Sequence, residues 1–309
     1  MTTARKNTFD TPLLLLVFNR PEATERVWQR VCQLKPATLF VAADGPRPGV
    51  PGEDERCRQV RQLCGTTPWN CSLQTRFLDA NQGCKKAVSG AIDWFFDHET
   101  EGIILEDDCL PGPGFFTFCR EMLKTYRHDK RVWHISGCNH FPAPDARDSY
   151  YFSNYPGIWG WATWKRAWEH YDRDLNLYPE ARRRDLLKDI FPGRLERAYW
   201  RAVFDRLRKG KFDTWDYQWL FTLRINHALC IRPNVNLVQN TGIGSGATHT
   251  AGMTTRSKPA DDVEMRDLTH PPAMTANTRK DREFFLKWIL FNSVCGRLKK
   301  CIGKRPRNV

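Results

Sequence analysis

The chain has 309 residues, and its 48 Lys and Arg outnumber 35 Asp and Glu to leave a net charge of +13. With 41% hydrophobic residues and twelve Trp it can bury a sizeable core, which excludes a disordered chain. The charge predicts an anionic partner: nucleic acid, anionic lipid or a phosphorylated substrate.

Eleven Cys include no CxxC pair, and no Cys/His set has zinc-ligand spacing. They read as reduced thiols of a cytoplasmic protein, with a disulfide framework as the alternative for a secreted one. The polar stretch Met1 to Asp10 and the short apolar run Leu13 to Phe18 do not have the form of a signal peptide. No stretch approaches the ~20 apolar residues that span a bilayer. The expectation is a cytoplasmic protein, at most peripheral on the membrane.

Thr11 to Phe18 is a continuous apolar run, as in a central parallel strand buried on both faces. Pro21 suits the first position of a helix, with Asn19 or Arg20 at its cap and Val27, Val31 and Leu34 on its apolar side. Thr38 to Ala43 predicts a second strand, closed by the turn residues Asp44 to Gly49. A helix over Glu53 to Leu63, a strand near Leu73 to Phe77 and a helix from Asn81-Gln82-Gly83 to Phe96 follow. Strand and helix alternate over this stretch, which predicts an α/β nucleotide-binding half with a parallel sheet. There is no GxGxxG after the first strand and no P-loop. Arg20 and Asp44, at the ends of the first two strands, are therefore the natural polar contacts for a nucleotide.

The next strand, Ile103 to Leu105, ends in Glu106-Asp107-Asp108. Three carboxylates cannot enter the core unpaired, so they are expected at the exposed carboxyl end of the strand, where open α/β sheets bind ligands. There they repel one another unless a cation neutralises them. Beyond them Val132 to Gly137 reads as a strand, and Tyr150 to Trp168 is dense in aromatics and Gly. Trp159, Trp161 and Trp164 are suited to stacking on sugar rings or to core packing. A basic helical stretch covers Pro179 to Lys209, and another helix starts near Asp216 with Thr214 as its cap. Cys230 to Val238 reads as a strand, Asn240 to Thr250 as a Gly-rich loop, and 251–277 as a linker. The tail over 278–309 is a basic amphipathic helix, suited either to an anionic membrane or to docking on the core.

These motifs, in this order, resemble GT-A-fold nucleotide-sugar glycosyltransferases, and within them the N-acetylglucosaminyltransferase I-like group. The matching residues are Glu106-Asp107-Asp108 with Phe115-Phe116, then Pro156 to Trp161, Trp215-Asp216, Ile231-Arg232-Pro233, and Gly244 to His249. The resemblance covers about residues 11–250. It implies a Rossmann-like, mostly parallel mixed sheet flanked by helices, as one main domain over 1–250 (nucleotide half 11–110, acceptor half 130–250). It also implies that Asp108 ligates Mn²⁺ or Mg²⁺, that Asp107 faces the ribose or metal waters, and that Glu106 lies near the donor sugar or acceptor. Arg20 would contact the nucleotide, Asp44 the uracil edge, and Asp216 would be the base. Lys85 and Lys86 stand where the family has a His near the nucleotide. The family's membrane anchor and stem have no counterpart in this sequence.

The chemistry implied is an inverting transfer from a nucleoside-diphosphate sugar, UDP-linked by the resemblance, to a glycan, lipid-linked or protein acceptor. A divalent cation neutralises the diphosphate, and a carboxylate takes the acceptor proton. Asp216 is the candidate and Asp213 the alternative; His249 is a candidate to ligate the metal or touch the phosphates when its loop closes. A sugar-phosphate nucleotidyltransferase is the competing enzyme reading, though the first strand lacks a Gly-rich activation loop. A basic glycan- or nucleic-acid-binding module is the non-enzymatic one. No nucleic-acid fold motif is present, so nucleic acid is not the expected partner.

Overall fold

Five consecutive apolar residues, Leu13–Val17, leave no polar side chain to face water, and all five are buried in β1. The computed structural model describes residues 9–242 and 259–293. After β1 come α1 (Pro21–Leu34), β2 (Thr38–Ala43), α2 (Glu53–Cys64), β3 (Ser72–Phe77), α3 (Cys84–His98) and β4 (Glu101–Glu106). A short β5 (Cys109–Pro111) and α4 (Phe115–Tyr126) follow, then β6 (Val132–Ser136), β7 (Tyr150–Ser153) and β8 (Trp161–Trp164). The helices α5 (Lys165–Trp168), α6 (Tyr178–Arg183), α7 (Leu187–Ile190), α8 (Arg194–Arg208) and α9 (Asp216–Ile225) lead to β9 (Leu229–Pro233) and β10 (Val238–Asn240). Helix α10 (Thr278–Phe284) continues into a π-helical turn, Phe285–Leu290.

Eight strands form one mixed sheet in the order β3-β2-β1-β4-β8-β6-β9-β7, while β5 and β10 pair separately. Strands β3, β2, β1 and β4 run parallel, β8 enters antiparallel between β4 and β6, β9 is parallel to β6, and β7 is antiparallel at the edge. This is the expected α/β arrangement, a mostly parallel mixed sheet with helices on both faces. Alternation along β1 divides the core. Leu13, Leu15 and Val17 pack with α1, α2 and α4, while Leu14 and Leu16 face α3, α5 and α9. Each such Leu contributes roughly 1.5–3 kcal/mol through burial. Among the described residues no helix is long and apolar enough to cross a membrane.

Several elements differ from expectation. The aromatic segment is two strands joined by an irregular turn, and Trp161 and Trp164 are core residues at 0% and 2% exposure. They therefore have no face to offer a sugar. The basic stretch over 179–209 is broken into α6, α7 and α8, because Asp185 takes a positive φ of 55° and Pro192-Gly193 interrupts the next turn. The expected strand over 230–238 ends at Pro233, and Asn234 to Leu237 lead to β10, whose pairing is with β5.

A third cluster joins α6, α7, α8 and α9 to the C-terminal segment. Asn277 caps α10 by accepting from the N–H of Lys280 at 3.1 Å. The buried Asp281 accepts from Ser153 Oγ at 2.5 Å and from the backbone and side chain of Asn154, both at 2.9 Å. Phe284 lies 5.4 Å from Tyr155, and Phe285 lies 5.7 Å from Tyr199. Of the aromatic face that the tail sequence displays, these two rings are packed on the core together with Trp288, whose ring lies 5.7 Å from Trp159.

Candidate active site

Pro21 starts α1 four residues after β1 ends, which holds Arg20 at the carboxyl edge of the sheet as the residue before the helix. Its guanidinium forks onto the acids that end β4, with Nη2 at 2.5 Å from Asp107 Oδ1 and Nη1 at 2.6 Å from Asp108 Oδ2. The N–H of Phe18 donates to the other oxygen of Asp107 at 3.2 Å. Asp107 and Asp108 are consequently buried, at 2% and 8% exposure, rather than exposed at the strand end as their charge suggested. Arg20 is what makes this possible: a buried carboxylate is tolerated when paired and hydrogen-bonded. Glu106, opposite Leu16 of β1, stays half-buried. Burial first, then Asp108 and Asp107, raise its carboxyl above the usual range, and Arg20 opposes them.

The loop after β2 is fastened over this edge. Glu53 is fully buried and accepts from Asn19 Nδ2 at 2.7 Å, from the N–H of Arg47 at 2.7 Å and from the Arg47 guanidinium. The Arg47 hydrogen bond, chiefly, holds its carboxyl down at about 2. Asp44 accepts from the N–H groups of Gly45 at 2.8 Å, Gln82 at 2.9 Å and Gly83 at 3.2 Å, and from Asn81 Nδ2 at 2.9 Å. Both its oxygens thus tie the end of β2 to the turn before α3.

Helix α3 points its N-terminus at the same edge. Asp213, distant in sequence, accepts from the N–H of Cys84 at 2.8 Å and of Lys85 at 3.0 Å. A Cβ on Gly83, whose φ is +80°, would lie 2.5 Å from Asp213 Oδ2, so only Gly fits there. The Lys85 ammonium pairs with Asp174 at 2.9 Å. Burial and the surrounding Glu106, Asp216, Asp213 and Asp44 push the Cys84 thiol up, so it is a neutral thiol and not a thiolate nucleophile. Those same four acids surround the Cys84 thiol.

Asp216 reaches this edge of the sheet through aromatic packing. Trp215 stacks on Trp161 with centroids 5.4 Å apart and planes at 19°, and Trp161 is the register partner of Ile104, two residues before Glu106. The first turn of α9 therefore sits beside the end of β4, and Asp216 acts on the charge of Glu106. Thr214, expected to cap α9, instead donates its hydroxyl to the Asp216 carboxylate. Behind the stack, burial holds His134 neutral with a pKa pushed down to about 3. Its Nδ1 accepts from Trp219 Nε1 at 3.2 Å, which assigns the proton to Nε2, 3.1 Å from the Gly157 carbonyl.

Strand β10 delivers the start of the Gly-rich loop to Asp108. The N–H and hydroxyl of Thr241 donate to the Asp108 carbonyl at 2.7 and 3.1 Å. A Cβ on Gly242 would meet Asp108 Oδ2 at 2.1 Å. His249 lies outside the described residues. Arg20, Glu106, Asp107, Asp108 and Asp216 thus converge, with Asp44 and Lys85 on the adjoining turn and helix end. Sequence reasoning missed the cap role of Asp213 and the Arg47–Glu53 pair; the only local signal was the turn-rich 44–52 segment running into an acidic helix start.

Whether these residues suit a divalent cation can be judged from charge and lone pairs. Asp107 and Asp108 together outweigh Arg20, so the cluster stays negative even with Glu106 protonated. Asp108 Oδ1 receives long contacts, Asn240 Nδ2 at 3.4 Å and Cys109 Sγ at 3.5 Å. Among the described residues no group of three or more His, Cys, Asp or Glu is placed to hold a metal ion. The residues fit an ion that takes one or two carboxylate oxygens and completes its shell with water and phosphate.

No protein-family model and no curated protein matches the sequence. Among solved structures, mouse xyloside xylosyltransferase 1 in its apo form is similar with a TM-score of 0.34 at 14% identity, over 71% of this chain and 82% of that one. HddC from Yersinia pseudotuberculosis is similar with a TM-score of 0.33 at 10% identity, over 55% of this chain and 85% of that one. Scores this low do not argue for a shared function, which has to come from the residues themselves.

Proposed function

We propose that the protein is a metal-dependent, inverting glycosyltransferase that uses a nucleoside-diphosphate sugar, with UDP the nucleotide implied by the sequence resemblance. The observation that carries this reading is the meeting of the Arg20–Asp107–Asp108 cluster with Asp216 at one edge of the sheet. A second supports it: α1 begins beside Arg20 with no side-chain cap, so its first N–H groups and its dipole favour an anion.

In this reading Asp108, with Asp107 beside it, would hold Mn²⁺ or Mg²⁺, which neutralises charge on the diphosphate leaving group. Arg20 and the start of α1 bind the phosphates. Asp44 orders the turn on which the nucleotide rests. Asp216 accepts the proton of the acceptor hydroxyl as it attacks the anomeric carbon from the face opposite the leaving group, which inverts that centre. Glu106 borders the donor sugar and the acceptor. Lys85, through its pair with Asp174, braces the α3 end of the site.

A thermal-shift panel of nucleotide sugars with and without Mn²⁺ tests the reading. Ligand at about a hundredfold its Kd stabilises the native state by about 2.7 kcal/mol, a rise of several degrees in Tm. A Mn²⁺-dependent rise with one nucleotide class is expected. Equal melting temperatures across the whole panel would count against any nucleotide-sugar site.

A further inference from the structure

We propose that the helical lobe built on α6 and α8 is a docking surface for an anionic lipid bilayer. Residues 178–211 hold eight Arg and three Lys against five acids, a net charge of +6 and close to half of the chain's +13. Ten of those eleven basic side chains are exposed. Arg184, Arg194, Arg201, Arg208 and Lys209 form no ion pair among the described residues. Tyr178, Arg182, Arg183, Arg208 and Lys209, with Asp205, line an open cleft of about 630 Å³ between the two helices, wide enough for a phosphate headgroup.

Charge alone would equally suit a nucleic acid. The apolar side chains decide for lipid. Of the five most exposed large hydrophobic residues among those described, four belong to this lobe or to the segment docked on it: Leu177, Leu195, Leu286 and Phe291. Leu195 is 56% exposed directly after Arg194, and Tyr199, one turn further along α8, holds Phe285 of the C-terminal segment. Arg194, Arg201 and Arg208 recur every seven residues and so share one side of α8. Exposed leucines on the same lobe as exposed arginines enter a lipid interface while the guanidinium groups meet the headgroups. A polyphosphate backbone offers those leucines nothing.

The lobe also packs on the helix that carries Asp216. Phe204 of α8 packs 5.2 Å from Phe221 of α9, the helix that begins with Asp216. Docking would therefore hold Asp216 next to an acceptor borne by the membrane. That corollary rests on the glycosyl-transfer reading, whereas docking does not.

The test is co-sedimentation of the full chain with vesicles, either pure phosphatidylcholine or three parts phosphatidylcholine to one part phosphatidylglycerol. Each basic side chain at an anionic leaflet contributes roughly fivefold in binding. The triple variant Arg194→Glu, Arg201→Glu, Arg208→Glu is expected to bind the anionic vesicles on the order of a hundredfold more weakly than wild type, at unchanged melting temperature. Leu177→Ser with Leu195→Ser should weaken vesicle binding severalfold without touching the charge. The proposal is overturned if wild type ignores the anionic vesicles. It is overturned too if the triple variant binds them as wild type does, which would move the contact to the basic tail. Tight binding of duplex DNA that the leucine variants leave intact would instead mark the lobe as a polyanion site. Loss of UDP-sugar turnover in the soluble enzyme bears on the catalytic reading alone.

Discussion

Replacing Asp213 and Asp216 in turn separates two carboxylates three residues apart that a sequence cannot tell apart. Asp213 has both oxygens on the first N–H groups of a 15-residue helix, at 2.8 and 3.0 Å, and lies tight against the Gly83 backbone. Both its oxygens are committed to the helix end, which ties the carboxylate in place as a cap. Asp213→Ala loses a cap worth about 0.5–2 kcal/mol and a helix-terminal charge worth about 0.3–1. Because Asp213 is exposed, water re-solvates the freed groups. The expected loss is about 1–1.5 kcal/mol, or roughly 2–5 °C in Tm. Asp216→Asn keeps an oxygen for the Thr214 hydroxyl and should melt like wild type, while sugar transfer falls by about 10²–10⁴. Circular-dichroism melts and a transfer assay on both variants read these out. If Asp213→Ala melts normally but cannot transfer, and Asp216→Asn is active, the assignment of base and cap is reversed.

Three further perturbations follow from the geometry. Gly242→Ala places a methyl group 2.1 Å from Asp108 Oδ2 and 2.7 Å from Arg20 Nη1, so it should abolish Mn²⁺-dependent nucleotide binding in calorimetry while the core melts as before. Arg47 holds the Glu53 carboxyl at about 2, below its usual value, so this stabilisation is complete above about pH 5 and disappears as pH falls toward 2. Discounting for the half-exposed Arg47, Glu53→Gln should cost about 2 kcal/mol at neutral pH and almost nothing near pH 2 in urea titrations; a pH-independent cost would contradict the pairing. Asp281→Ala leaves Ser153 and Asn154 donors unsatisfied and should cost about 1–3 kcal/mol. Hydrogen exchange should rise first in 278–290, and uniform exchange across the chain would argue against local undocking.

The N-terminal α/β half was legible because its central strands are buried on both faces and read as apolar runs: β2 falls on Thr38–Ala43 as expected, and α2 and α3 start within a few residues of their expected positions. The placement of Arg20, Asp108 and Asp216 at one edge is consistent with the order of motifs. What the sequence did not display was long-range. The insertion of β8 between β4 and β6, the capping of α3 by Asp213 and the pairing of β10 with β5 join residues far apart in the chain. Trp161 and Trp164 were ambiguous because an aromatic ring serves a core and a sugar equally well, and only burial decides between them. The burial of Asp107 and Asp108 was likewise hidden, since it depends on a guanidinium 88 residues upstream of Asp108.

The central claim is that the acids ending β4 serve a nucleoside-diphosphate sugar, and the most direct measurement is release of nucleotide from a UDP-sugar in Mn²⁺ by wild type and by Asp108→Asn. Wild type should release UDP, EDTA should stop it, and Asp108→Asn should be slower by on the order of a hundredfold or more while keeping its fold. Equal release by the two proteins, or release that persists undiminished in EDTA, would contradict the account.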